Sequence, residues 1–360
     1  MGTPATTPSR QHFPVLDGLR GVAAIAVVIF HFMEMVIGNY SDLFIGHGWL
    51  AVDFFFCLSG FVIGYAYDGR IGAMGLAAFA KTRLIRLHPM VVFGSVLGLI
   101  TLYTDPFRAT PFNDSASHVI IMLLASLFLV PYPTMAERGF CLFSLNSPAW
   151  SLFWEYVANI AYALVLCRLG LRALAVATFI AALILCAVGY HDGNLWAGFN
   201  GETFWVGAAR VNFSFLAGLL VYRSGAIVKT KLGFGGLAVL LTLAFVMPYA
   251  KGGWIREAAV ILLYFPLLVM LGAGATIGER SKRLCKLAGE ISYPLYMTHY
   301  AFIYAFGNYY DREHPDAMQL TVVVVGGVIA MLAFAYVVMK CYDLPVRRYL
   351  SVKRPVETTP

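Results

Sequence analysis

The first apolar segment of the chain contains ionisable side chains that can do proton chemistry. Asp17, Arg20, His31 and Glu34 interrupt an otherwise apolar run. A helix turns 100° per residue, so His31 returns to within about 20° of the face that carries Arg20. Asp17 and Arg20 can neutralise each other, and Glu34 is expected at the membrane surface. No residue adjacent in sequence is expected to pair with His31 inside the apolar helix. Histidine is the side chain whose ordinary charge change lies near physiological pH, which suits a general base.

Two further acids are predicted at the depth of this histidine. Asp53 lies about 6 Å beyond Trp49, and Glu155 about 7 Å beyond Trp150, if the helices begin near these tryptophans. His31 lies about 7 Å below the end of its own helix. The matching depths favour one site built from His31, Asp53 and Glu155, while the alternative is that each acid has a separate structural role.

A cationic group is predicted at the opposite end of the same axis. Arg83 and Arg86 are one helical turn apart and precede Pro89, which is expected to mark the start of a span. Arg20 enters the membrane from that side, so its guanidinium and those of Arg83 and Arg86 can converge on a multiply charged anion such as a nucleotide phosphate. The alternative is that these arginines only mark the cytoplasmic side of the membrane, as basic loops commonly do. His31 lies about 16 Å beyond Arg20 along the same helix. A cationic end and a histidine at this separation suit a phosphate-bearing donor with a long apolar arm, which is the shape of a coenzyme A thioester.

The composition indicates which elements must position these residues. The chain has 360 residues, 60% of them hydrophobic and 12% charged, about half the charged fraction of a soluble domain. A soluble enzyme is therefore excluded, and the fold class predicted is all-α, a polytopic transmembrane helical bundle. The net charge of +7 is attributed to loop topology and not to nucleic acid binding. The cysteines show no CxxC spacing and are predicted to be packing residues, and no metal site is expected.

About ten spans are predicted, together with one re-entrant or interfacial segment at 118–131. The predicted spans are 15–36, 48–66, 90–104, 147–166, 172–190, 205–222, 233–250, 257–278, 291–308 and 319–339.

This arrangement places most basic residues on one side, which is expected to be the cytoplasm, with the chain in the inner membrane. Residues 1–360 are expected to form a single domain whose tails, 1–13 and 341–360, are cytoplasmic. The basic residues assigned to the cytoplasm include Arg10, Arg168, Arg172, Arg223, Lys340, Lys353 and Arg354, and the exceptions left outside are Arg108, Arg138, Lys251 and Arg256.

Five motifs resemble the acyltransferase 3 family of integral membrane acyltransferases. The resemblance implies about ten membrane helices, acyl-CoA as cytoplasmic donor, and transfer of an acetyl or related acyl group to a sugar hydroxyl. The motifs follow the order of the family along nearly the whole chain: LDGLRGVAAIAVVIFHF at 16–32, GWLAVDFFFCLSGFVIG at 48–64, RLIR at 83–86, PAWSLFWEY at 148–156 and ISYPLYMTHYAFI at 291–303.

The resemblance also implies roles for individual residues. Arg20 and His31 match the Arg-x10-His pair of the family, Arg83 and Arg86 match its Arg-x-x-Arg pair, Glu155 is the acid of its WSLxxE stretch, and His299 matches the histidine of its SYxLYxxH run. The chain departs from the family pattern at Cys57 and at Tyr156 to Ala158. Some members continue into an extracytoplasmic hydrolase-like domain, and none is expected here.

These residues lead to a mechanistic hypothesis. His31 removes the proton of the acceptor hydroxyl as it attacks the thioester, and Glu155, or with less support Asp53, holds the imidazole. An acyl group carried by His31 itself is the alternative route. His299 either lines the path of the donor or is a core histidine.

The sequence is compatible with a second class of protein and with several acceptors. A transporter, or a carrier that supplies acyl groups to a separate transferase, would also use a polar axis through the membrane. The acceptor is expected to be a carbohydrate such as an exported or surface polysaccharide, and peptidoglycan, lipochitooligosaccharides and glycosylated macrolides are alternatives.

Overall fold

A computed structural model describes residues 12–352. Arg10, Lys353 and Arg354, which the sequence assigns to the cytoplasmic side, lie outside the described residues. The described chain is a bundle of α-helices, as predicted, and two π-helical turns, Val260–Tyr264 and Met339–Asp343, continue helices without a break. The helices are α1 (Pro14–Val36), α2 (Ala51–Tyr67), α3 (Ile71–Met74), α4 (Leu76–Thr104), α5 (Ala116–Leu127), α6 (Ala149–Leu164), α7 (Leu171–Asp192), α8 (Phe204–Ser224), α9 (Gly233–Phe245), α10 (Trp254–Ala259), α11 (Phe265–Gly274), α12 (Glu279–Glu313), α13 (Ala317–Val338) and α14 (Leu344–Ser351).

Eight helical segments within residues 12–352 are long and apolar enough to cross a membrane. They agree with eight of the ten predicted spans. The other two predictions fall on α9, which has 13 residues, and inside α12, whose 35 residues include a charged first part. Helix α5, at the predicted segment 118–131, has 12 residues and rises about 18 Å. That is less than the roughly 30 Å of a hydrocarbon core.

Pro89 does not begin a span, so this detail of the prediction is wrong. Helix α4 runs continuously from Leu76 to Thr104 with Pro89 inside it. Proline removes a backbone donor, but membrane helices tolerate it where neighbouring groups satisfy the backbone. Next to the proline, the Tyr342 hydroxyl donates to the carbonyl oxygen of Pro89 and the Tyr293 hydroxyl to that of Leu87, which ties α4 to α12 and to the π-helical turn Met339–Asp343. The basic run before the proline is therefore part of the same helix as the membrane segment.

Close helix contacts hold the elements that carry the polar residues. Helix α2 packs against α8 at Gly60 and Gly218, where an added Cβ would overlap the backbone of Phe215 and of Cys57 respectively. Small residues at such crossings let helix backbones approach, which is a main source of packing energy inside a membrane. Helix α1 packs along α12 in the same way, so residues of these two helices meet over several turns.

Candidate active site

A narrow cavity of about 230 Å³ lies among α1, α2, α4, α6 and α12. Its lining along α2 extends from Val52 to Ile63, a rise of about 16 Å. Ordinary small-molecule sites have volumes of about 300–1,000 Å³, so the cavity suits a thin arm of a ligand better than a whole bulky one. Its polar lining consists of Asp17, Arg20, Ser59, Arg83, Arg86, Ser151, Glu155, Ser292, Tyr293 and Tyr296. The structure thus brings the arginines of the predicted cationic group to one cavity.

Arg20 is held rigidly between α1 and α12. Its Nη2 donates to Asp17 Oδ1 at 3.0 Å and to the carbonyl oxygen of Gly289 at 2.9 Å. Its Nε donates to Ser292 Oγ at 3.0 Å. A Cβ at position 289 would lie 2.6 Å from the Asp17 side chain, so glycine is needed there for the two helices to meet. Arg20 therefore presents a fixed positive charge to the cavity.

Glu155 contacts Arg83 and not His31, so the predicted contact between Glu155 and the imidazole is wrong. Glu155 Oε1 accepts from Arg83 Nη2 at 2.9 Å and from Ser59 Oγ at 3.3 Å. The guanidinium of Arg83 is only 13% exposed, and a charge removed from water in this way needs a counter-ion. The depth of a residue, counted from the end of its helix, does not give the direction of its side chain, and the side chain of Glu155 turns toward Arg83.

Arg86 differs from its two neighbours. Its guanidinium lies 5.9 Å from the centroid of the Tyr293 ring. Within the part of the chain that the structure describes, Arg86 makes neither a hydrogen bond nor an ion pair. Since Arg20 and Arg83 already have acidic partners, Arg86 is the cation of this cavity that is most available to an incoming anion.

His31 is hydrogen-bonded to an acid of its own helix. Its Nδ1 lies 2.8 Å from Glu34 Oε2, and the other carboxylate oxygen accepts from the Tyr40 hydroxyl at 2.6 Å. A carboxylate only accepts, so in the neutral imidazole Nδ1 carries the hydrogen and Nε2 is the free base. Sequence reasoning missed Glu34 because it was assigned to the membrane surface. The signal was present, since residues three apart on a helix are neighbours.

Asp53 belongs to a buried structural ion pair, so its predicted place beside His31 is also wrong. Asp53 is fully buried, and its two oxygens accept from Arg210 at 2.5 and 3.2 Å. Arg210 also donates to the carbonyl oxygens of Ala197 and Trp49, at 2.7 and 3.2 Å. A buried carboxylate persists as a charge only with such a partner. The pair joins α2 to α8 and to the loop before α8.

His299 lies between the cavity and His31. Its ring is fully buried and stacks on His31 with centroids 5.5 Å apart. On the other side, the ring of the cavity residue Tyr296 is 5.8 Å away. Nδ1 of His299 donates to the carbonyl oxygens of Tyr296 and Leu295, at 2.8 and 3.2 Å. Nε2 is therefore an unprotonated, buried acceptor without a hydrogen-bond partner among residues 12–352.

The arrangement separates two chemical regions along α12. The first is a cavity with positive charge and a narrow apolar part, which can hold an anionic ligand with a long arm. The second is an imidazole whose free nitrogen can take a proton or an acyl group. No group of three or more His, Cys, Asp and Glu side chains that could share a metal ion occurs among the described residues.

Comparisons with known proteins point to one family. A family model described as "Acyltransferase domain", the acyltransferase 3 model, matches residues 13–340. The acyltransferase MdmB of Streptomyces mycarofaciens is 26% identical over 98% of this chain and 96% of that protein. "Protein 2 in picA locus" of Rhizobium radiobacter is 37% identical over 45% of this chain and 85% of that protein.

A further relative is longer than this chain. The O-acetyltransferase OatA of Staphylococcus aureus (strain NCTC 8325 / PS 47) is 23% identical over 94% of this chain, and the match covers 58% of OatA. No solved structure gives a significant match.

Proposed function

Since this chain belongs to the acyltransferase 3 family and is a multi-pass membrane O-acyltransferase, we propose that acyl-CoA is its donor and a carbohydrate hydroxyl its acceptor. The acyl group is acetyl or a close relative of it. The observation that supports the donor most directly is the narrow cavity with Arg20, Arg83 and Arg86 in its lining. The alternative, a transporter, would use the same polar residues as a substrate or proton path, and the match to an acyltransferase family favours transfer.

The arginines bind the phosphates of the donor. Arg20 and Arg83 are already oriented by Asp17 and Glu155, so they offer positive charge at fixed positions and lose little entropy on binding. Arg86, which makes no hydrogen bond or ion pair within residues 12–352, supplies the guanidinium that pairs most fully with a phosphate. The thin arm then extends along α2 toward Tyr296 and His299, which places the thioester near His31. Glu155 acts by positioning Arg83.

His31 acts as the general base of the transfer. Its Nε2 takes the proton of the acceptor hydroxyl while the hydroxyl oxygen attacks the thioester carbonyl. The carbon–sulfur bond breaks, the thiolate of coenzyme A leaves, and the proton held by His31 passes to that thiolate. Glu34 keeps the imidazole in the right tautomer and stabilises the imidazolium that forms. General base catalysis of this kind contributes about 10²- to 10⁴-fold.

The acceptor class and the orientation complete the proposal. OatA is named an O-acetyltransferase, which supports an oxygen acceptor and an acetyl group. The carbohydrate is an exported or surface polysaccharide, with a glycosylated small molecule as the alternative. The protein lies in the inner membrane with the arginine-lined end of the cavity and both termini toward the cytoplasm, because most basic loops then face inward.

The test is acceptor-dependent release of thiol from acetyl-CoA. Purified protein in detergent is mixed with acetyl-CoA and an oligosaccharide acceptor, and free thiol is measured over time. We expect release that depends on the acceptor and an increase of mass by one acetyl group on the sugar. Uptake of acetyl-CoA or sugar by proteoliposomes without thiol release would contradict the proposal and favour transport.

A further inference from the structure

Arg138, in the loop between α5 and α6, is a buried cation that forms no ion pair with any residue that the structure describes. Its side chain is only 8% exposed, and its one hydrogen bond within the described chain is from Nη1 to the carbonyl oxygen of Ser144. The adjacent acid, Glu137, is instead bound by Arg108 through two contacts of 2.6 and 2.7 Å. Burial lowers the pKa of Arg138, as expected for a charge removed from water.

The groups that contact the Arg138 side chain directly are polar but neutral. Its guanidinium carbon lies 4.0 Å from the centroid of the Tyr304 ring. The Tyr304 hydroxyl points to Cys141 Sγ at 3.9 Å, and the Ser147 hydroxyl donates to the same sulfur at 3.4 Å. Neither hydroxyls nor a thiol balance a full positive charge. A buried guanidinium left this way destabilises the fold unless a ligand supplies the missing negative charge.

Arg138 is connected to the reactive histidine through a short ladder of rings on α12. The His31 and Tyr300 rings are 4.8 Å apart, and the Tyr300 and Tyr304 rings are also 4.8 Å apart. Tyr304 then contacts Arg138. The donor cavity meets α12 at Ser292, Tyr293 and Tyr296, which lie on the other side of His299 along the helix. Arg138 is therefore reached from His31 in the direction away from the donor cavity.

We propose that Arg138 binds an anionic group of the acceptor, a carboxylate or a phosphate, so that the acceptor is an acidic glycan. An arginine has five N–H donors in a planar fork that matches both groups, and only one of these donors is used by the described residues. The inference rests on the proposed function, because the donor must occupy the cavity on the opposite side of His31. It also explains why a basic residue is buried in a loop that the charge distribution assigns to the outside.

The experiment compares three matched oligosaccharides as acceptors: one with a uronic acid, one with a phosphate in its place and one that is neutral. Thiol release from acetyl-CoA gives kcat/KM for each acceptor. We expect the wild-type protein to prefer an anionic acceptor, and the Arg138→Gln protein to lose about ten- to hundredfold of that preference, the contribution of one charge-assisted hydrogen-bonding pair. The better of the two anionic acceptors identifies the group. Arg138→Lys restores part of the preference.

Arg108→Gln is the matched control, because it removes the same charge from the loop between α4 and α5, but from an arginine that has an acidic partner, Glu137. It keeps the preference of the wild type. The inference is overturned if the wild-type protein shows no preference for an anion, or if Arg138→Gln keeps the full preference. If Arg138→Gln does not elute from a sizing column as the wild type does, the comparison is made with Arg138→Lys.

A binding measurement separates failure of this inference from failure of the proposed function. Thermal unfolding is followed with glucuronate, with glucose 6-phosphate and with glucose. A ligand bound to the native state raises the unfolding temperature, so one of the two anions should stabilise the wild type, and neither should stabilise Arg138→Gln. This result stands even if no thiol is released. Absence of any shift in the wild type would overturn the anion site while leaving acyl transfer intact.

Discussion

Replacement of Glu34 by glutamine tests which acid assists His31. Glu34 Oε2 is 2.8 Å from His31 Nδ1, and the two side chains are 17% and 20% exposed. For charge centres about 4 Å apart at an effective dielectric constant of about 20, the imidazolium and carboxylate attract by about 4 kcal/mol. Both side chains are partly exposed, and glutamine can still make a neutral hydrogen bond. The stabilisation of the imidazolium that Glu34→Gln loses is therefore about 2–3 kcal/mol, the range of a charge-assisted hydrogen bond.

A loss of this size lowers kcat about 30- to 150-fold. The assay is thiol release at saturating acetyl-CoA and acceptor, and the KM for acetyl-CoA should change little, because Glu34 does not line the donor cavity. Glu155→Gln is the comparison, and it should raise the donor KM by releasing Arg83. The reasoning is refuted if Glu34→Gln keeps the wild-type kcat while Glu155→Gln lowers kcat without changing the donor KM. That outcome would favour Glu155 as the acid that assists His31, as the sequence predicted.

The other predictions concern the donor cavity and the packing around it. Arg83→Gln should raise the KM for acetyl-CoA about tenfold or more with a smaller effect on kcat, measured by initial rates, and an unchanged KM would remove Arg83 from the donor site. Asp53→Asn should destabilise the protein by about 3–5 kcal/mol because Arg210 loses its partner, with thermal unfolding as the measurement. A wild-type unfolding temperature would contradict the structural role. Gly60→Ala should also lower the unfolding temperature, since its Cβ would overlap the Phe215 backbone at the α2–α8 crossing, and equal stability would show that the crossing adjusts freely.

The sequence predicted the bundle well because hydropathy depends on local composition. Spans such as 15–36 and 205–222 fall within two residues of α1 and α8 at each end. The continuity of α4 through Pro89 was not predictable, because the helix is held on both sides of the proline by contacts with Tyr293 and Tyr342, which are far away in the sequence.

The polar residues were harder to assign than the helices. Arg20, Arg83 and Arg86 meet at one cavity as expected, because their common side of the membrane follows from topology. The acids did not behave as expected, because their partners depend on side-chain direction. Asp53 pairs with Arg210, 157 residues later in the chain, and Glu155 turns toward Arg83. Glu34 was identifiable from its three-residue spacing to His31 alone.

The proposed mechanism requires His31 for acyl transfer from acetyl-CoA. The most direct measurement uses acetyl-CoA labelled with carbon-13 in the acetyl group and follows the label onto the acceptor by mass spectrometry. Three proteins that elute identically from a sizing column are compared: the wild type, His31→Gln and His118→Gln, the last being a histidine substitution on α5 away from the cavity and from His31. We expect transfer by the wild type and by His118→Gln, and a loss of at least about 10²-fold in His31→Gln. Wild-type transfer by His31→Gln would contradict the account.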